Sequence, residues 1–150
     1  LHTNDAPSTI TRLQNMGTPD YLISAAVSLV LAQRLARKNC PNCREPDPDV
    51  TPEVLKEMNF TEDQISSAKV SRGKGCSSCK DSGYKGRMGI YEILSVTKPI
   101  KEAILKKATT PELKAIALKE GFRTMQDMGR TLILSGDLNF REYDRVLSME

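Results

Sequence analysis

The sequence predicts a mixed α/β fold, and three features carry that expectation. Ile90-Tyr91-Glu92-Ile93-Leu94-Ser95-Val96 is rich in β-branched and aromatic residues and reads as a strand. From Thr97 onward, short apolar-periodic segments are separated by capping residues and glycines, as in a set of small helices. Two identical cysteine pairs, Cys40-Pro41-Asn42-Cys43 and Cys76-Ser77-Ser78-Cys79, bracket a Pro-rich and helical insertion and offer a way to staple it. At 150 residues the chain can form one ordinary domain or two small subdomains.

Taken in order, Leu1 to Asn4 reads as the end of a strand running into a polar loop. Ser8 is the expected cap of a first helix with Ile10, Leu13 and Met16 on one face, and Gly17 ends it. Thr18-Pro19-Asp20 opens a second helix, with Thr as the cap and Pro at its first position. Val27 to Arg37 is either a continuation of that helix or a strand, because its apolar residues satisfy both periods. Thr51-Pro52-Glu53 starts a short helix to Met58, and Thr61 with Gln64 is a capping box for another. Gly83 to Gly89 reads as turns leading into the strand that begins at Ile90. Its glycines do not follow the order of a phosphate loop. Helices are then expected from Pro99 (Ile100, Ile104 and Leu105 inward), from Thr110 (Leu113, Ile116 and Ala117 inward, stopped by Gly121), from Thr124 to Gly136, and from Asn139, where Glu142 completes a capping box. Four such helices with tight connections read as a small bundle.

The cysteine pattern points first to a four-thiolate zinc site formed by Cys40, Cys43, Cys76 and Cys79. Each C-x-x-C turn presents two sulfurs, and four sulfurs fill a tetrahedron, leaving no open position for chemistry at the metal. Disulfides and a redox-active C-x-x-C remain as alternatives. Lys69, Arg72, Lys74, Lys80, Lys85 and Arg87 face only Asp81 in the surrounding sequence, so local cations offset the negative charge of a tetrathiolate centre or mark a subunit contact.

Composition narrows the function classes. The charged fraction is 27% and the hydrophobic fraction 39%, as in soluble globular proteins, and the absence of Trp leaves a core of Leu, Ile, Val, Ala and Met. Tyr21 to Ala36 is the most apolar stretch, yet Gln33 and Arg34 interrupt it and it is short of a membrane span. No signal peptide is recognisable, and paired thiols suit a reducing compartment, the cytoplasm. A net charge of +3 with little aromatic interleaving disfavours nucleic-acid binding. The chain starts at Leu1 rather than Met, and the burial that Tyr21 to Ala36 calls for suggests a piece of something longer. His2 is the single histidine. No nucleophile, base or carboxylate pair can be assigned around it, so the residues alone describe a metal-stapled, non-catalytic piece of a larger protein.

A family resemblance extends this reading over essentially the whole chain. Leu1-His2-Thr3-Asn4-Asp5-Ala6 resembles the histidine box of the type II secretion and type IV pilus ATPases. Ala32-Gln33-Arg34-Leu35-Ala36-Arg37 leading into Cys40-Pro41-Asn42-Cys43 is similar to the segment that follows it. Gly75-Cys76-Ser77-Ser78-Cys79 with Gly83-Tyr84-Lys85-Gly86-Arg87-Met88-Gly89-Ile90-Tyr91-Glu92 resembles the second half of their tetracysteine motif. The combination points to the extension ATPases of pilus assembly or their type II secretion relatives, since retraction ATPases lack the cysteine element.

The resemblance implies the C-terminal portion of a RecA-like ATPase core (1–39), a four-cysteine zinc subdomain with a helical insertion (40–96) and a C-terminal helical subdomain (97–150). It implies a motor, usually hexameric, that uses ATP and Mg²⁺ at the cytoplasmic face of the inner membrane to drive a membrane platform protein. By the same likeness His2 approaches the terminal phosphate of the nucleotide, and Cys40, Cys43, Cys76 and Cys79 hold structural Zn²⁺. By the likeness Gln33 and Arg34 lie in the matching segment near the core sheet, with their roles left open. The family's phosphate loop and acidic Mg²⁺ box are absent from these residues. Phosphoryl transfer needs a backbone cradle, a Lys and a positioned metal, so this chain alone is expected to be inactive.

Overall fold

The computed structural model describes residues 3–147. Its elements run α1 (Ala6–Asn15), α2 (Asp20–Ala26), β1 (Leu29–Asn39), β2 (Arg44–Pro46), α3 (Pro52–Glu57), α4 (Glu62–Ser67), β3 (Ser71–Gly73), β4 (Tyr84–Ser95), α5 (Lys98–Leu105), α6 (Thr110–Lys119), α7 (Met125–Leu134) and α8 (Phe140–Leu147). The fold is mixed α/β, with two two-stranded sheets, β1 with β4 and β2 with β3.

The chain divides into two compact units. One holds the residues up to Gln33 and Tyr91–Met125, the other Arg34–Ile90 and the residues from Gln126 on. In the first unit α1, α2, α5 and α6 pack on one another. Ile10, Ile23, Ile100, Ile104 and Leu113 are almost completely buried there. The second unit contains the cysteine turns, both short helices α3 and α4, and α7 with α8. Its core is built from Ala36, Ile90, Ile133, Leu138 and Leu147. The β2–β3 ribbon pairs antiparallel, with Arg44 opposite Gly73, Glu45 opposite Arg72 and Pro46 opposite Ser71.

The ambiguous segment after α2 is a strand. Along β1, Val30, Ala32 and Ala36 are buried while Leu29, Leu31 and Leu35 stay about half exposed, so the period is two with apolar residues on both faces. On β4 Ile90, Glu92 and Leu94 are buried and Tyr91 and Ile93 are exposed. β4 starts at Tyr84, six residues before the expected Ile90, because the glycine-rich segment is itself extended strand. Gly86, at φ +80° and with nothing within 4 Å of where a Cβ would sit, lies inside the strand. Asp5, not Ser8, caps α1: the Asp5 carboxylate accepts the Ser8 N–H. Thr61 and Gln64 form the expected capping box on α4. Leu105, expected inward, is 53% exposed, whereas Ile100 and Ile104 are fully buried. Among the described residues no helix is long and apolar enough to cross a membrane.

Candidate metal centre

The four cysteines come together although residues 44–75 separate the pairs. Cys40 follows the end of β1 and Cys43 precedes β2, so the first turn links two strands. Cys76 precedes a single 3₁₀ turn, Ser77–Cys79, between β3 and β4, and Cys79 closes it. The β2–β3 ribbon closes the insertion and returns the chain to the first pair, where Lys74 N–H donates to Cys43 O at 3.0 Å. Cys40 N–H donates to Gly83 O at 2.9 Å, which fixes the other side.

Two glycines permit this approach. A Cβ on Gly73 would lie 1.9 Å from Gly83 O, and one on Gly83 would lie 2.4 Å from Gly73 O. Both clashes are with backbone, so neither is relieved by a rotamer change. The loop beyond Cys79 then turns through Lys80 and Asp81, both left-handed, and Gly83 at φ +77°.

The sulfurs are spaced for one ion. All four Sγ atoms lie within 4.8 Å of one another. Cys40–Cys76 and Cys43–Cys79 are 3.9 Å apart and Cys76–Cys79 3.7 Å. Metal–sulfur bonds near 2.3 Å give tetrahedral edges of about 3.8 Å. A disulfide requires about 2.05 Å, and the four thiols are free. Three backbone amides point at the sulfurs: Gly75 N–H to Cys43 at 3.3 Å, Cys76 N–H to Cys79 at 3.2 Å and Gly83 N–H to Cys79 at 3.3 Å. Burial works to raise the Cys79 thiol, but the Cys76 and Gly83 amides outweigh it and bring it down to about 6. Burial pushes Cys43 up to about 12 against the Gly75 amide, with the neighbouring sulfurs adding to the rise. A cation held by these four sulfurs would remove that conflict, because it would favour the thiolate at every ligand.

Sequence reading missed the polar network that holds the centre in place. Asn39, next to Cys40, is buried and donates from Nδ2 to Ser71 O at 2.8 Å and Gly136 O at 2.9 Å. Its Oδ1 accepts from Asn139 Nδ2 at 3.0 Å, and its N–H donates to Asp137 O at 2.9 Å. Asn139 also caps α8 by accepting the Glu142 N–H at 2.8 Å. The expected reciprocal capping box does not form, because the Glu142 carboxylate turns to Arg37 and Arg145. Arg37 lies over the Tyr84 ring at 4.1 Å. These partners are far apart in sequence, and only the polarity of Asn39 beside a ligand hints at them.

The other expected site residues fare differently. His2 lies outside the described residues. Gln33 is exposed on β1, and Arg34 donates to Val146 O at 2.6 Å. Within the basic segment Arg72 pairs with Glu45 and Asp49, and Lys85 donates to Ser78 Oγ.

The chain is mixed α/β, and its two C-x-x-C turns bring four sulfurs close enough together that they could hold one metal ion. The chain belongs to the Type II/IV secretion system protein family, whose sequence profile matches residues 1–145. It is 40% identical over 97% of its length to the type IV pilus assembly ATPase PilB of Pseudomonas aeruginosa, covering 25% of that protein. It is 41% identical over 95% of its length to PilB of Thermus thermophilus, covering 16%. With type II secretion system protein E of Aeromonas hydrophila it shares 35% identity over 97% of its length, covering 28%. The chain thus spans about a quarter or less of the length of the pilus ATPases it matches.

Proposed function

We propose that the chain is the C-terminal part of a hexameric motor ATPase that drives type IV pilus assembly. The observation that carries this reading is the 37–41% identity to pilus assembly ATPases over nearly the whole chain, together with the four-sulfur centre. In the whole protein ATP and Mg²⁺ are bound by a phosphate loop and acidic box outside these residues. Residues 1–39 complete the RecA-like core, 40–96 form the metal subdomain and 97–150 the helical end. His2 stands near the terminal phosphate. An all-sulfur, closed donor set suits Zn²⁺, which here supplies rigidity rather than a reactive position. The partner is an inner-membrane platform protein on the cytoplasmic side, which the motor moves through shifts between rigid domains.

A second reading, the type II secretion ATPase, is favoured by the secretion relative at 35% identity. Deleting the gene separates the two. Loss of surface pili with protein secretion intact supports pilus assembly, and the reverse result moves the assignment to secretion. Full-length protein with no Mg²⁺-dependent ATP hydrolysis would sink the motor itself. Metal analysis of the same preparation should find about one zinc per chain, with structure lost on its removal.

A further inference from the structure

The turn between α7 and α8 carries no cysteine, yet residues on both sides of the first C-x-x-C pair grip it. Asn39, immediately before Cys40, is 1% exposed. Its N–H donates to Asp137 O at 2.9 Å, its Nδ2 donates to Gly136 O at 2.9 Å, and its Oδ1 accepts from Asn139 Nδ2 at 3.0 Å. Arg44, immediately after Cys43, pairs through Nη2 with the Asp137 carboxylate at 2.8 Å. A third grip comes from the segment that leads to the second cysteine pair. Lys69 N–H donates to Leu134 O at 2.9 Å, and a Cβ on Gly136, at φ +78°, would lie 2.5 Å from Lys69 O. The same turn sets the start of α8, because the Asn139 side chain that meets Asn39 also accepts the Glu142 N–H at 2.8 Å. Asn39 and Arg44 are each one residue from a cysteine, so whatever closes the Cys40–Cys43 turn also sets the spacing of the two side chains that hold 136–139.

We propose that the α7–α8 turn is an outer, non-ligating part of the metal site: closing the Cys40–Cys43 turn around a metal seats residues 136–139 and with them the cap of α8, and the seated turn in its place raises the affinity for the metal. The inference rests on the zinc reading above. Linkage makes the two effects equal. The factor by which unseating the turn weakens metal binding is the factor by which removing the metal loosens the turn. Groups just outside the ligands hold the donor atoms in position, and losing such a group costs about 10- to 100-fold in metal affinity. Asn39, Arg44 and Gly136 are therefore positioning residues for the four sulfurs, and Asn139 carries their arrangement to α8.

The test uses the full-length protein and reads zinc affinity by competition with a chelator, and amide exchange with and without zinc. Gly136→Ala alters no cysteine and no neighbour of one, and it should raise the zinc Kd by about 10- to 100-fold. Gly86→Ala, also left-handed but in open space, should leave the Kd unchanged. In the wild type, stripping zinc should speed exchange of the Gly136, Asp137, Leu138 and Glu142 amides by a factor similar to the Gly136→Ala loss, while residues 100–104 of the first unit stay protected. Asp137→Asn, which removes only the exposed pair with Arg44, should raise the Kd by about 2- to 5-fold and keeps the test decisive should Gly136→Ala fold poorly. An unchanged Kd in Gly136→Ala and Asp137→Asn, or equal exchange at 136–142 with and without zinc, would overturn the coupling and leave the metal site standing. Faster exchange that reaches 100–104 as well would mean unfolding of the whole, not release of one turn, and would overturn the coupling too. Wild-type protein that takes up no zinc would overturn the zinc reading, and the proposal with it.

Discussion

Glu142 should stabilise the second unit by an amount that its surroundings allow to be worked out. Its carboxylate is fully buried. It accepts the Arg37 N–H at 2.9 Å, Arg37 Nε at 3.1 Å and Nη2 at 2.7 Å, and Arg145 Nε at 2.9 Å with a second bond from Arg145 Nη2. Burial alone would raise its pKa, but the bonds from Arg145 and Arg37 prevail and bring it from 4.5 down to about 2. At about 1.36 kcal/mol per unit that difference corresponds to ~3 kcal/mol. The Arg37 and Arg145 side chains are 45% and 54% exposed, so solvent screening reduces this to about 2 kcal/mol. Because the folded-state pKa is depressed, the stabilisation is complete above the unfolded value of 4.5 and is lost as pH falls toward about 2. Glu142→Gln should therefore speed hydrogen exchange in residues 34–39 and 139–147 of the full-length protein by about 30-fold at neutral pH. The gap between variant and wild type should shrink by more than half at pH 3. Comparing the two proteins at each pH cancels any loss of metal common to both. Equal exchange at neutral pH, or a gap undiminished at pH 3, would refute the reasoning.

Two further perturbations probe the metal centre. Gly73→Ala places a methyl group 1.9 Å from Gly83 O and should abolish stoichiometric metal binding, whereas Gly86→Ala, with open space but φ +80°, should keep the metal and cost about 1 kcal/mol; metal analysis after gel filtration distinguishes them, and a fully loaded Gly73→Ala protein would contradict the close approach. Asn39→Ala removes the Asn39 bonds to Ser71 O and Gly136 O and leaves the Asn139 amide with Tyr84 Oη as its remaining acceptor; it should cost about 2–4 kcal/mol, read as a lower melting temperature, and an unchanged melt would remove the network from the account.

What was legible in the sequence was local. Thr61 with Gln64 announces α4 because both halves of a capping box lie within one turn, and the C-x-x-C spacing announces the cluster of four sulfurs because each pair is a single turn. Asn139 with Glu142 has the same spacing as Thr61 with Gln64, yet only the Asn139 half forms. Arg37, more than a hundred residues away, competes for the carboxylate and offers a charged partner in place of a backbone amide. β1 resisted periodicity for a different reason: Leu29, Leu31 and Leu35 put apolar side chains on its outer face, which erases the alternation that marks a half-buried strand. The glycines before Ile90 read as turns because their φ values and packing cannot be inferred from composition. In the structure Gly83 serves a backbone contact and Gly86 sits inside a strand.

The two buried glutamates show how the same side chain can be held by opposite means. Glu142 has two arginines, so its ionised form is favoured despite burial, and its pKa falls. At Glu92 the balance is reversed: burial raises its pKa, the Ala6 and Met125 amides pull the other way without prevailing, Asp5 adds to the rise and Lys114 opposes it. With a folded-state pKa above the unfolded one, Glu92 is more easily protonated in the native protein, so its ionisation opposes stability as pH rises through that interval. Removing the charge should therefore help at Glu92 and hurt at Glu142. The hydrogen-bond penalty in Glu92→Gln comes from one misdirected amide group, and it is offset by relief of the desolvated charge. Stability should then fall less in Glu92→Gln than in Glu142→Gln at neutral pH, even though both side chains are buried to the same degree. A Glu92→Gln protein that lost as much stability as Glu142→Gln would mean that the two amide bonds outweigh the buried charge, contrary to the balance of forces around this carboxylate.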